Sequence, residues 1–247
     1  MLKISAVSYL NTIPFVHGLK QSELIKIIDL QLDYPSICAE KLINGIVDLA
    51  LVPVAVIPKL KEAHIISDYC IGANGAVDTV CLYSDVPIEE IESIALDYQS
   101  RTSVALLKIL LKEYWQLKPE LTKVDIGFEY NIKGNHAALV IGDRAFALNT
   151  KHAYIYDLPA IWKEMTGLPF VFAAWVANKK LPQNFISNFN TALEKGLSDI
   201  DRALALEGDN YPNCTHPEDY LNNKISYNLD AEKKKGMELF MKKVSAL

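Results

Sequence analysis

The 247-residue sequence predicts an α/β protein of two βα lobes joined by a two-strand hinge. Three observations predict it. Short β-branched runs alternate with helical patterns from the first residues. A second strand–helix cycle starts after a break at Val86–Pro87. From Pro182 the chain reads as wholly helical, a tail that has to pack on one of the earlier lobes.

The elements follow in order. Lys3–Val7 and Ile25–Leu32 read as strands. Ser36, after Pro35, suits the cap of a helix carrying Ile37, Leu42 and Ile46, with Gly45 near its end. Asp48–Val52 is an apolar strand of the buried type, stopped by Pro53. Ala76–Ser84 reads as a long strand leaving the first lobe. Ser93–Leu96 opens the second cycle. A strong helix from Ser100 to about Tyr114 follows, with Val104, Leu107, Leu111 and Tyr114 on one face. Val124–Ile126 and Ala137–Ile141 are further strands, and Asp157 can cap a helix that closes at Gly167. Leu168–Ala177 is a long apolar strand returning to the first lobe. In the tail, Phe185, Phe189, Leu193 and Leu197 recur every four residues, and a last helix carries Met237, Phe240 and Val244.

This order is that of a type II periplasmic-binding-protein fold. It places residues 1–84 with 179–247 in one lobe and 85–178 in the other. A ligand is then expected between the lobes, at the carboxyl ends of the strands.

Composition narrows the ligand. Half the residues are hydrophobic, 22% are charged and the net charge is -5, which brings no general attraction to nucleic acid or an anionic membrane. The only arginines are Arg101, Arg144 and Arg202, so backbone N–H groups and hydroxyls have to carry most of any anion recognition. The opening MLKISAV reads as a strand rather than a secretory signal, and the longest apolar run is far too short to span a bilayer. Cys38, Cys70, Cys81 and Cys214 show no metal or redox spacing, so a cytoplasmic protein with free thiols is expected. The five histidines are scattered, and nucleotide-binding glycine motifs are missing from the sequence, so no metal or nucleotide cofactor is expected.

Several polar groups fall at expected cleft edges. Ser8-Tyr9-Leu10-Asn11-Thr12-Ile13-Pro14 follows the first strand. Asn11 can orient a substrate hydroxyl or carboxylate there, and Asn11 or Thr12 equally suits a plain helix cap before Pro14. Ser100, Thr102 and Ser103 crowd one helix N-terminus, where a carboxylate would meet hydroxyls and unpaired N–H groups. Ser100 alone suffices as a cap. Gly142–Asp143 ends an apolar strand, with Asp143 either a base or a cap, and Asp97 reads as structural. Thr79 and Pro53 stand as cleft walls by position. Lys233–Lys235 reads as the solvated face of the last helix.

As a set these motifs resemble the chorismate dehydratase family, the first enzymes of the futalosine route to menaquinone. The matching stretches are Ser8–Pro14, Gly45–Pro53, Asp97–Ser103, Leu139–Asp143, Tyr156–Leu158 with Trp162, and Thr166–Trp175. Each is weak alone, and together in this order they are specific. The resemblance implies conversion of chorismate to 3-[(1-carboxyvinyl)oxy]benzoate and water without a cofactor. It implies that Asn11 is the residue most tied to catalysis. It also implicates a serine on the crossover strand, where this chain has Thr79, which keeps the hydroxyl and adds a methyl. A sibling branch that forms dihydroxynaphthoate resembles this fold but carries a histidine–glutamate pair in place of Gly142–Asp143 and lacks the Ser8–Asn11 opening. A non-catalytic binder of a small anion is the other alternative.

Overall fold

The computed structural model describes residues 1–125, 127–148 and 151–247. In chain order the elements are β1 (Leu2–Val7), α1 (Ile13–Lys20), β2 (Ile28–Asp33), α2 (Pro35–Ile43), β3 (Leu49–Pro53), β4 (His64–Ala73), β5 (Val80–Ser84) and β6 (Ser93–Leu96). There follow α3 (Arg101–Glu113), β7 (Glu120–Lys123), β8 (His136–Ile141), β9 (Tyr154–Asp157), α4 (Leu158–Thr166) and β10 (Phe170–Ala177). The tail holds α5 (Gln183–Leu197), α6 (Ile200–Glu207), a three-residue α7 (Pro217–Asp219) running into one π-turn (Tyr220–Lys224), β11 (Ser226–Asn228) and α8 (Ala231–Val244).

Two mixed sheets result. The first has the order β11-β4-β10-β3-β1-β2, with β2, β1 and β3 parallel and β10 antiparallel to both β3 and β4. The second has the order β7-β6-β8-β5-β9, with β5 antiparallel to its neighbours. The parallel strands come from the βαβ units, since a parallel neighbour needs a crossover. β3 is buried along its whole length, which explains its unbroken apolar sequence.

Sheet membership corrects two expectations and adds a strand. The chain leaves the first sheet at Ala73 and enters the second at Val80, so β5 belongs to the second sheet and not to the first. The first-sheet strand before the crossover is β4, which the sequence hides behind His64 and Asp68. The tail is not wholly helical, because β11 pairs antiparallel with β4 and extends the first sheet. Smaller differences follow the same logic. Tyr34, not Ser36, holds the cap position of α2, and the Ser36 N–H donates to the Gln99 carbonyl across the cleft. The strand expected at Val124–Ile126 lies at Glu120–Lys123, and Ile126 is outside the described residues. Lys233 is 3% exposed and pairs with Asp230 at 2.9 Å, so only its two successors face solvent.

The core is aromatic at both junctions of the tail. Trp162, Phe170 and Phe240 meet edge to face, joining α4, β10 and α8. Trp175 and Phe189 do the same between β10 and α5. α5 lies so close to α1 that side chains are excluded from the crossing. A Cβ on Gly196 would sit 1.9 Å from the Pro14 carbonyl oxygen, and one on Gly18 would sit 2.0 Å from that of Ala192. Because the obstructing atoms are backbone, the helices have to separate to admit a methyl. Gly196→Ala is therefore expected to lower stability by ~3 kcal/mol, read as a shift in denaturant midpoint. An unchanged midpoint would disprove this close crossing.

Candidate active site

The strand ends of the two sheets face one another across a cleft. Its walls come from Val7 at the end of β1, Tyr9 and Asn11 after it, Pro53 at the end of β3, and Phe172 and Ala173 of β10. The facing side supplies Val77, Thr79 and Val80, Ile141 at the end of β8 with Gly142 after it, and Ser100 and Ser103 at the start of α3. Pro35, Ile71 and, from the tail, Ile225 complete the lining. The walls are mostly apolar, with a few convergent polar groups, as small-molecule sites usually are.

Asn11 is partly exposed to the cleft. The Thr12 hydroxyl donates to its Oδ1 at 3.1 Å, and its Nδ2 donates to the Tyr220 hydroxyl at 3.5 Å. Thr12 holds the N-cap position of α1, as one reading expected, but makes no side-chain cap bond to the helix, and its hydroxyl goes to Asn11 instead. Thr79 is 2% exposed, and its Oγ1 shares a 2.9 Å hydrogen bond with the same Tyr220 hydroxyl. The strap before it is braced from behind, where the Val77 and Asp78 N–H groups both donate to Asp157. Asp157 also caps α4 as expected, accepting the Ala160 N–H.

At α3, Ser100 is the cap: its Oγ accepts the Ser103 N–H at 3.1 Å and lies 3.0 Å from the Ser103 Oγ. A bond between two hydroxyls uses one of their two protons. The other remains for a ligand, beside the positive end of a 13-residue helix. Gly142 has φ +67°, and a Cβ there would meet the Tyr9 ring at 2.8 Å, so only glycine fits this wall. Pro53 lines the wall from β3.

Three expected site residues lie off the wall. Ser8 is partly buried, and its backbone N–H donates to the Asp33 carbonyl. Thr102 is 1% exposed, and its hydroxyl accepts the Ala55 N–H at 3.2 Å, which ties α3 to the segment after β3. Asp143 turns toward the opposite strand end, where both carboxylate oxygens accept the Leu10 N–H at 3.2–3.3 Å. It links the two sheets beside the cleft. Arg144, next to it, binds Asp97 at 2.6 Å and lies over the Tyr98 and Phe128 rings, so this arginine is used internally. Asp97 holds the second lobe's lip together, as the structural reading expected, accepting the Gln99 and Ile141 N–H groups.

Burial raises the Asp143 pKa to about 7, against a lowering by the Leu10 N–H. A raised carboxyl pKa stabilises the folded state most when the group is neutral. That contribution is complete below the ordinary Asp value of about 4 and is lost as the pH climbs through about 7. Asp143→Asn, uncharged throughout, is expected to flatten the fall in thermal midpoint over that range relative to wild type. Parallel curves for the two proteins would rule out Asp143 as its source.

Sequence reasoning missed Tyr9, Gln99, Tyr220 and Tyr227. The Tyr9 hydroxyl donates to the Gln99 side-chain oxygen, a further bond across the cleft. Burial raises the Tyr9 phenol pKa well above its usual value and keeps it a donor. The Tyr227 hydroxyl donates to the Asn11 carbonyl at 3.0 Å. The tail was expected only to complete the first lobe, yet it holds the backbone and the side chain of Asn11.

The described residues contain no group of three or more His, Cys, Asp or Glu side chains placed to hold a metal ion, and no helix among them is long and apolar enough to cross a membrane. The four cysteines are free.

Solved structures similar to this chain include a protein of Archaeoglobus fulgidus, at TM-score 0.78 and 12% identity, covering 99% of this chain and 97% of that one. Another is a Candida albicans protein described as having the generic periplasmic binding protein fold, at TM-score 0.63 and 11% identity, covering 100% and 90%. The periplasmic aliphatic sulphonate binding protein of Escherichia coli matches at TM-score 0.59 and 14% identity, over 98% and 86%. At such identities they show the fold alone, which is periplasmic-binding-protein-like. In sequence, the chain is 28% identical over 222 residues to a chorismate dehydratase of Thermus thermophilus, covering 81% of this chain and 80% of that protein. A family model described as menaquinone biosynthesis matches residues 2–246, from the first strand to the end of the last helix. With one family pattern running through both sheets, the cleft between them and the tail that closes it, the chain belongs to the menaquinone biosynthesis family.

Proposed function

We propose that this protein is a chorismate dehydratase, a carbon–oxygen hydro-lyase acting in the cytoplasm. The observation that carries the reading is the meeting of Asn11 and Thr79 in one cleft, joined through the Tyr220 hydroxyl. The match to the Thermus thermophilus enzyme supports it. The two sheets correspond to two lobes that enclose the substrate, with α3 and β5 to β9 in the second.

The reaction removes a ring hydroxyl and the hydrogen on the neighbouring ring carbon. A C–H and a C–O bond break, a ring double bond forms, and the proton and hydroxide leave together as water. The product ring is aromatic, so the step is steeply downhill and positioning can supply much of the acceleration. Chorismate carries two carboxylates. The hydroxyl and helix N-terminus at Ser100 and Ser103 suit one of them. The other carboxylate acts as the base on the ring hydrogen, with Asn11 aligning the substrate and Thr79 beside the departing hydroxyl. The bonds across the cleft from Tyr9, Leu10 and Ser36 exclude water while this happens.

The test is incubation of the purified protein with chorismate, without added metal or nucleotide, followed by liquid chromatography with mass detection. A product lighter by one water, formed faster than in a boiled control, is expected. Chorismate bound but recovered intact would overturn the assignment in favour of a carrier. Absence of binding would direct attention to the substrate of the naphthoate-forming sibling.

A further inference from the structure

The tail segment that forms the π-turn has no part in the chemistry above, yet it touches both residues on which that chemistry depends. Tyr220 opens the turn, is 3% exposed and stands behind the cleft wall, with its ring seated edge-on against Phe146 at 5.0 Å. Its hydroxyl receives Asn11 from one side and Thr79 from the other. Four residues on, Lys224 pairs with Asp78 at 2.9 Å, so the turn grips two successive residues of the crossover strap. Asp78 has φ +63°, an uncommon conformation for a residue with a side chain, and one that needs such support. π-turns recur at functional sites because the extra residue aims a side chain that a regular helix would misplace.

The hydrogen bonds have a direction. The Thr12 hydroxyl donates to Asn11 Oδ1, which places the Asn11 amide nitrogen toward Tyr220. An amide nitrogen only donates, so the Tyr220 oxygen accepts there. The phenol then has its own proton to give, and Thr79 Oγ1 lies 2.9 Å away to accept it. Either oxygen could donate in this bond; with the phenol as donor, Thr79 keeps its hydroxyl proton. The other partner of that proton is the Val77 carbonyl at 3.5 Å, a long bond readily exchanged for a ligand. The buried phenol is held protonated, since burial raises its pKa.

We infer that Tyr220 is a positioning residue that orients Asn11 and sets Thr79 as a hydrogen-bond donor to the departing ring hydroxyl. The inference rests on the dehydratase reading. Negative charge grows on that oxygen as the C–O bond breaks, and a donor already aimed at it favours the transition state over the ground state. Tyr220 itself does not reach the substrate, so its effect has to pass through Thr79 and Asn11.

The experiment is a double-mutant cycle on chorismate turnover with Tyr220→Phe, Thr79→Val and both together. Tyr220→Phe is expected to lower kcat by about 10-fold or more, with KM changed less than about threefold. Thr79→Ser is expected to keep most of the activity. In the Thr79→Val background, Tyr220→Phe is expected to cost far less than it does alone, because the donor it sets is already gone. Equal losses in both backgrounds, or a rise in KM with kcat unchanged, would overturn the inference while leaving the function standing. An inactive wild type would remove both. If Tyr220→Phe does not fold, as judged by near-ultraviolet circular dichroism, Lys224→Met and Lys224→Arg test the same clamp from its partly exposed end. A fall in kcat of about threefold with methionine, restored by arginine, supports the inference, and an unchanged kcat overturns it.

Discussion

Asn11→Ala is expected to lower kcat for chorismate by about 10²–10³-fold, the range seen when one preorganised donor is removed from a reacting centre. KM should change much less. The Asn11 side chain is partly exposed at the cleft, and its bonds run to Thr12 and Tyr220, at 3.1 and 3.5 Å. Its backbone is fixed separately by the Tyr227 hydroxyl and by the turn after β1. Truncation thus removes the amide without moving the chain, and stability should fall by only about 1 kcal/mol or less. An interaction that matters only in the transition state appears as equal losses in kcat and kcat/KM. An interaction that merely holds the substrate would raise KM alone. Turnover within a factor of about three of wild type, in a protein that folds, would remove Asn11 from the chemistry and with it the mechanism proposed above.

The cleft wall was legible in the sequence where a local rule applied and was misread where parity was ignored. Val7 and Tyr9 line the cleft and Ser8 does not, because alternate residues along extended chain point to opposite sides, and Asn11 follows in the short 3-10 turn Leu10–Thr12. Reading the Ser8–Pro14 motif with a period of two would have exchanged Ser8 for Tyr9. The same holds on α3. Ser100 and Ser103 are three residues apart and share a helical face, whereas Thr102 points round to Ala55. Gly142, Pro53 and Thr79 sit at strand ends or on the strap between sheets, which the order of elements does indicate. Asp143 is close to the site, but its carboxylate is occupied by the Leu10 N–H, a partner 133 residues away that no local pattern reveals. Tyr220 was out of reach for the same reason. It is an isolated tyrosine 141 residues after Thr79 and 209 after Asn11, in a segment with no periodic signal. Of the strands, β11 is three residues long, too short to show alternation.

Asp97→Ala is expected to cost ~3–5 kcal/mol of stability, the largest loss foreseen for any single change in the second lobe. Asp97 is 2% exposed and directly follows β6. Its carboxylate accepts the Gln99 N–H at 2.9 Å, the Ile141 N–H at 2.9 Å and the Arg144 guanidinium at 2.6 Å. Burial raises its pKa against the lowering by Arg144, so the charge is tolerated only because these donors surround it. Alanine would leave two backbone N–H groups without their acceptor. It would also leave Arg144 facing Glu129 alone at 3.5 Å, with a buried Nε that already has no partner among the described residues. Asp97→Asn keeps one acceptor oxygen and should cost less, about 1–2 kcal/mol. The activity should fall with the stability, because the two N–H groups belong to the Gln99 turn before Ser100 and to Ile141 before Gly142, and both stretches line the cleft. Denaturant unfolding gives the first quantity, and kcat/KM measured well below the midpoint gives the second. A loss below about 1 kcal/mol for Asp97→Ala would mean that the Arg144 pair returns no more than its own desolvation cost, and that the lip of the cleft is held by packing rather than by charge.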